Sequence, residues 1–179
     1  MGVAIEFSLN GHLIKIEGCS PNTTLLEYLR AQCLTGSKEG CAEGDCGACS
    51  VAIVDRDSQG HPTYRAINSC LVPVCLMAGR EIVSVEGVGE QCGVRNAECR
   101  IEKLHPVQRH VVQCHGSQCG YCTPGFIMAS AGLLRRNPHP SEDQIREALG
   151  SNICRCTGYV KIIEAVKYAA ELNAQGVAP

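Results

Sequence analysis

The first clear pattern is an alternation of apolar and polar positions. Val3-Ala4-Ile5-Glu6-Phe7-Ser8-Leu9 alternates, runs into Asn10-Gly11, and His12-Leu13-Ile14-Lys15-Ile16 resumes the period of two. Asn-Gly between two such runs predicts a β-hairpin, because both turn positions need a positive φ. The period then changes. Thr24-Leu25-Leu26-Glu27 is a capping box, and Leu25, Leu26, Leu29 and Cys33 fall on one face of the helix it opens, which makes Cys33 a small core residue. Strands are predicted at Val51–Val54, Tyr64–Ile67 and Glu81–Val85, with a polar turn from Asp55 to His61. Hairpin, helix and strands make an α+β unit with the helix on one sheet face, ending near residue 85.

From residue 86 to 103 there are glycines and mixed charges without periodicity, which reads as a linker. Beyond it the pattern is helical, and each boundary carries a signal. His105-Pro106 places proline in a first turn, and this helix runs to His115-Gly116. Thr123-Pro124 opens a second helix that stops before Asn137-Pro138. Ser141-Glu142-Asp143-Gln144 is another capping box, and a fourth helix follows Gly158 with Ile162, Val166 and Ala169 at core spacing. The expected domains are thus 1–85 (α+β), 86–103 (linker) and 104–179 (a four-helix bundle).

Composition narrows the function. The 179 residues carry a formal net charge of −2, no Trp and 4% aromatic residues, so neither a basic field nor stacking platforms for nucleic acid are present. No apolar run approaches the roughly 20 residues of a membrane span. The N-terminus lacks the basic, apolar and cleavage regions of an export signal, and a cytoplasmic protein is expected. Fourteen cysteines stand out. In a reducing compartment they point to metal or redox chemistry before disulfides.

The cysteines are patterned. Gly40-Cys41-Ala42-Glu43-Gly44-Asp45-Cys46-Gly47-Ala48-Cys49 with Cys70 reproduces the C-x4-C-x2-C…C spacing that holds a plant-type [2Fe–2S] cluster. Gly40, Gly44 and Gly47 let the backbone curl so that amide N–H groups face the cluster. Cys119-Gly120-Tyr121-Cys122 falls between the first two helices of the bundle, and Cys154-Arg155-Cys156 between the last two. Stacking the two helical hairpins brings four thiolates together, with two helix N-termini beside them to stabilise negative charge.

Competing chemistries fit less of the pattern. Zinc accepts the second set but suits C-x4-C-x2-C poorly. Cys-Gly-Tyr-Cys alone resembles a thioredoxin-type redox pair, yet a helix, not a buried strand, precedes it. A Rieske centre needs histidine on one iron. No Cys-x-His occurs, and His12, His61, His105, His110, His115 and His139 read as surface or capping residues. Cys19, Cys33, Cys75, Cys92, Cys99 and Cys114 read as buried small residues or loop thiols, and Cys92 and Cys99 receive no ligand role.

The stretches 40–49, His115-Gly116-Ser117-Gln118-Cys119-Gly120-Tyr121-Cys122-Thr123-Pro124-Gly125-Phe126 and Cys154-Arg155-Cys156-Thr157-Gly158-Tyr159 resemble the iron–sulfur part of the xanthine oxidase family of molybdenum hydroxylases. The likeness covers nearly the whole chain, and all eight ligand positions match in order. It implies a β-grasp ferredoxin fold followed by the helical bundle, and two [2Fe–2S] clusters. It also implies a medium FAD subunit and a large molybdopterin subunit as partners, in a heterotrimer or a dimer of heterotrimers. Electrons would pass from molybdenum through the helical-domain cluster to the N-terminal cluster and on to FAD, while the large subunit oxidises a heterocycle or aldehyde. By the same resemblance Gln118 hydrogen-bonds the pterin. Two departures stand out: Ala42 occupies a position where many members have Gly, and the linker around Glu90 to Arg100 is longer. A free two-cluster ferredoxin and a zinc-stabilised interaction module are the alternatives from other functional classes.

Overall fold

The computed structural model describes residues 3–89 and 104–174. The linker segment with Cys92 and Cys99 lies outside the described residues. Strands β1 (Val3–Leu9) and β2 (His12–Cys19) form the predicted hairpin around Asn10-Gly11. Helix α1 (Leu25–Ala31) starts at Thr24, whose side chain accepts from the Glu27 N–H while the Glu27 carboxylate accepts from the Thr24 N–H. Strands β3 (Ser50–Arg56), β4 (Pro62–Asn68) and β5 (Glu81–Val83) complete a five-stranded sheet ordered β2-β1-β5-β3-β4. Among the described residues only the β1–β5 pair is parallel.

One expectation for this half fails. α1 ends at Ala31, and Cys33 sits beyond it at φ +63, exposed to solvent. The apolar periodicity was extended one turn past the real C-terminus, so Cys33 is a loop thiol and not a core residue. Cys19, Cys75 and Cys114 are half-buried.

The second half folds into α2 (Pro106–Gln113), α3 (Thr123–Arg136), α4 (Glu142–Leu149) and α5 (Val160–Ala174). α2 begins at His105, whose Nδ1 accepts from the Val107 N–H, and it ends two residues before the predicted His115. α3 is buried at ten consecutive positions, Gly125 to Leu134. An amphipathic surface helix has one apolar stripe; a helix buried all round has neighbours on every side.

Its extra neighbour is the sheet. Val51 and Ile53 of β3 pack with Leu25 and Leu29 of α1, whereas Ala52 and Val54 pack with α3 residues and the other helices. β3 is therefore covered on both faces, which explains why Val51-Ala52-Ile53 reads as an unbroken apolar run. α3 lies close enough to β4 that a Cβ on Gly132 would meet the Tyr64 carbonyl oxygen at 3.2 Å. At the rim the Arg135 guanidinium sits 4.5 Å from the centre of the Tyr64 ring. Val83 and Val88 enter the helical core as well, so sheet and helices share it. The fold is mixed α/β: one sheet, with α1 on one face and α3, backed by the remaining helices, on the other.

Candidate metal centre

The first cysteine group is assembled by strand register. β3 starts immediately after Cys49, β4 ends two residues before Cys70, and Ser50 stands opposite Asn68. That pairing puts Cys49 and Cys70 side by side, both buried. The Ser69 hydroxyl donates to the Cys49 carbonyl at 2.7 Å, the Ser50 hydroxyl to the Gly47 carbonyl at 2.7 Å, and the Asn68 amide to the Gly44 carbonyl. The loop between Cys41 and Cys49 is irregular, and Ala42, Gly44 and Gly47 all have positive φ. Ala42, at +58, pays a steric penalty that glycine would avoid.

The curl has an electrostatic result. The backbone N–H groups of Glu43 and Cys46 both point at the Cys41 sulfur, at 3.4 Å. They lower the Cys41 thiol to about 7, because donors to the anionic form favour it. Burial, and then the neighbouring Cys49, push Cys70 up to about 11. A Cβ on Gly40 would lie 2.8 Å from the Cys46 sulfur, so that sulfur occupies the space a side chain would fill.

The second group sits where the helical hairpins turn. Cys122 caps α3, and the Sγ atoms of Cys119 and Cys156 lie 3.7 Å apart. Burial, then the Cys154 thiol beside it, push Cys122 up to about 12. Cys156 is raised by Cys119. Cys154 is lowered: burial opposes ionisation, but the Thr157 hydroxyl, 3.2 Å from its sulfur, and the backbone N–H groups of Thr157 and Cys156 outweigh it. Each group thus pairs a thiol that ionises readily with one that resists, and filling either with metal must release protons. α5 starts at Val160, just past Gly158 as expected, so Thr157, Gly158 and Tyr159 separate it from Cys156.

Those intervening residues have a task the sequence did not disclose. Tyr159 adopts φ +68, unusual for a bulky residue. Its ring folds back edge-on to Phe126, and its hydroxyl accepts the Cys154 N–H at 3.1 Å. Gln118 is exposed beside Cys119, and Arg155 is exposed between its two cysteines. Glu43 and Asp45 are exposed on the first loop.

The two groups adjoin. The Ile153 N–H donates to the Cys46 carbonyl at 3.0 Å, the Asn152 side-chain amide to the Gly47 carbonyl at 3.1 Å, and the Tyr121 hydroxyl to the Glu39 carbonyl. Among the described residues no three His, Cys, Asp or Glu side chains converge as a site for a single metal ion. The donor chemistry fits two-iron clusters: two sets of four thiols, with backbone N–H groups aimed at sulfur.

Comparison with known proteins agrees. Residues 7–75 match the 2Fe-2S iron-sulfur cluster binding domain family, and residues 85–167 match the [2Fe-2S] binding domain family. The chain is 44% identical over 163 residues to aldehyde oxidase 2 of Mus musculus, covering 90% of this chain and 11% of that protein. It is 42% identical over 168 residues to xanthine dehydrogenase of Emericella nidulans, covering 91% and 11%. It therefore spans about a ninth of these curated relatives. Among solved structures, quinoline 2-oxidoreductase from Pseudomonas putida 86 superposes with a TM-score of 0.76 at 34% identity, covering 98% of both chains. Aldehyde oxidoreductase from Desulfovibrio gigas superposes at 0.81 with 34% identity, covering 97% of this chain and 17% of that one.

Proposed function

Because the chain belongs to the iron–sulfur part of the xanthine oxidase family, we propose that it relays electrons, one at a time, from a molybdopterin centre to FAD. Cys41, Cys46, Cys49 and Cys70 hold one [2Fe–2S] cluster, and Cys119, Cys122, Cys154 and Cys156 hold the other. The clusters supply reversible one-electron storage; the chain supplies ligands, charge and a fixed spacing. We read residues 1–85 as a β-grasp ferredoxin unit and 104–179 as the helical unit, joined by 86–103. The FAD and molybdopterin parts sit on medium and large partner subunits in this reading, as a heterotrimer or a doubled one. The reaction served is oxidative hydroxylation of an aldehyde or a nitrogen heterocycle. The names of the aldehyde oxidase, xanthine dehydrogenase and quinoline oxidoreductase relatives support that substrate class.

One observation carries the proposal. The two cysteine groups lie on loops that touch through residues adjacent to the ligands, with the Ile153 N–H on the Cys46 carbonyl. A relay needs two sites within tunnelling reach, and such a contact supports this reading. We assign the pterin contact to Gln118, which is exposed next to Cys119. Among the described residues no helix is long and apolar enough to cross a membrane.

The test is analytical. Anaerobically purified protein is expected to contain iron and acid-labile sulfide in equal amounts and to show two [2Fe–2S] EPR signals on dithionite reduction. A colourless preparation with stoichiometric zinc overturns the reading. With partners assembled, Gln118→Ala should slow reduction of the clusters by substrate; an unchanged rate removes Gln118 from the relay.

A further inference from the structure

Asn152 is 4% exposed, belongs to the loop of Cys154, and hydrogen-bonds the loop of Cys46. Its surroundings are shaped to receive it. A Cβ on Gly47 would lie 2.5 Å from the Ser151 carbonyl oxygen and 2.8 Å from the Asn152 Cγ. A Cβ on Gly125, three residues after Cys122, would lie 2.8 Å from the Asn152 amide nitrogen and 3.0 Å from the Gly47 carbonyl carbon. The amide thus fills a slot among three backbones: the first cysteine loop, the 151–153 turn and the start of α3. Two other bonds tie the first cysteine group to the second, from Ile153 to the Cys46 carbonyl and from Tyr121, on the Cys119–Cys122 loop, to the Glu39 carbonyl. Three of the residues that cross flank a cysteine: Tyr121 precedes Cys122, Ile153 precedes Cys154, and Gly47 follows Cys46.

We propose that Asn152 is a positioning residue that clasps the two cysteine loops into one unit, so that each metal cradle is held in shape partly by the other. Each loop is irregular and has few internal backbone bonds, so a loop released from its neighbour gains conformations in which its sulfurs diverge. Opening either loop breaks the shared clasp and loosens both. Iron retention at the N-terminal site therefore depends on a side chain more than a hundred residues away in the helical half. The inference rests on the two-cluster reading above.

The test follows iron loss from the purified full chain to an excess of a ferrous chelator, for wild type, Asn152→Ala and Tyr121→Phe. Removal of one buried hydrogen bond should speed release about fivefold. The acceleration should cover all of the iron, and both EPR signals should decay together. Acceleration of only half the iron, the share held by Cys119, Cys122, Cys154 and Cys156, shows that Asn152 serves its own loop alone and overturns the proposal. Unchanged rates in both variants overturn it too. Tyr121→Phe keeps its ring and loses only the hydroxyl bond, so it reports even where Asn152→Ala does not fold. Wild-type protein without iron sinks the two-cluster reading itself, a result distinct from iron-loaded protein whose sites empty independently.

Discussion

Gly47→Ala is the substitution for which the structure makes the sharpest demand. Gly47 has φ +67, and adopting the left-handed region with a Cβ costs about 1–2 kcal/mol. The new methyl would also sit 2.5 Å from the Ser151 carbonyl oxygen and against the Asn152 side chain. Ser151 presents backbone there, so the turn itself must shift, at about 1–3 kcal/mol for overpacking. The bond from Asn152 to Gly47 would be lost with it, a further ~1 kcal/mol. The total is about 3–6 kcal/mol, or a fall of about 6–24 °C in midpoint at 2–4 °C per kcal/mol for a chain of this size. Gly44→Ala is the control. Its φ of +85 carries the same conformational penalty, but the obstacle is the half-exposed Leu71 side chain, which can swing away. It should cost only about 1–2 kcal/mol. The assay is far-UV circular dichroism melting of the anaerobically purified chain at one scan rate. Equal midpoints for the two variants would refute the reasoning, because they would leave backbone strain as the whole effect and remove the Gly47–Asn152 contact from the account.

Three further outcomes are expected. Burial, with Arg135 nearby, pushes His105 down to about 4 from 6.5, so the native state holds it neutral. Its contribution is present above about pH 6.5 and is lost as pH falls towards 4, worth about 3 kcal/mol at 1.36 kcal/mol per unit. His105→Asn keeps a cap acceptor and should flatten the stability curve in that window relative to wild type; parallel curves count against it. Arg155→Gln removes an exposed cation between two proposed ligands and should lower the midpoint potential of the second cluster by about 20–40 mV, equivalent to 0.5–1 kcal/mol for one electron. An EPR-monitored titration with no shift would mean that solvent screens the charge. Phe126→Ala empties a fully buried position against Tyr159 and should cost about 3–5 kcal/mol in denaturant unfolding. A loss under ~1 kcal/mol would mean that the surrounding core collapses into the space.

What the sequence disclosed depended on how local the physics is. The Asn10-Gly11 turn and the boxes at Thr24 and Ser141 are each settled within four residues, and all three stand in the structure. The curl of the first cysteine loop was legible for the same reason, since positive φ at Gly44 and Gly47 is settled within the loop. Cys33 was misread because apolar periodicity does not mark where a helix stops, and here a cysteine takes the left-handed position usually given to glycine. Asn152 and Tyr159 carried no signal. Asn152 acts through a loop 105 residues away, and the +68 φ of Tyr159 is a tertiary imposition that no local preference predicts. The unbroken Val51-Ala52-Ile53 run fits a strand covered on both faces, but nothing in it says that α3 is the cover.

That cover decides how the two sites relate. In sequence the two cysteine groups are far apart, and chain connection alone would hold them only loosely. α3 removes the need for it. The helix starts at the Cys122 cap, passes Gly125 against Gly47, and continues across β3 and β4 as far as Gly132 against Tyr64. One rigid element therefore begins at the second cysteine group, touches the first, and is then buried along the sheet whose β3–β4 register brings Cys49 and Cys70 together. Electron transfer falls steeply with distance, so a relay gains from two centres held at a fixed spacing, and packing at core density holds it where a linker cannot. Gly125 and Gly132 follow from the same demand, since a Cβ on Gly125 would meet the Gly47 carbonyl and one on Gly132 the Tyr64 carbonyl. The spacing of the two centres is thus a property of the α3–sheet interface, and substitutions there should alter electron transfer without touching a single ligand.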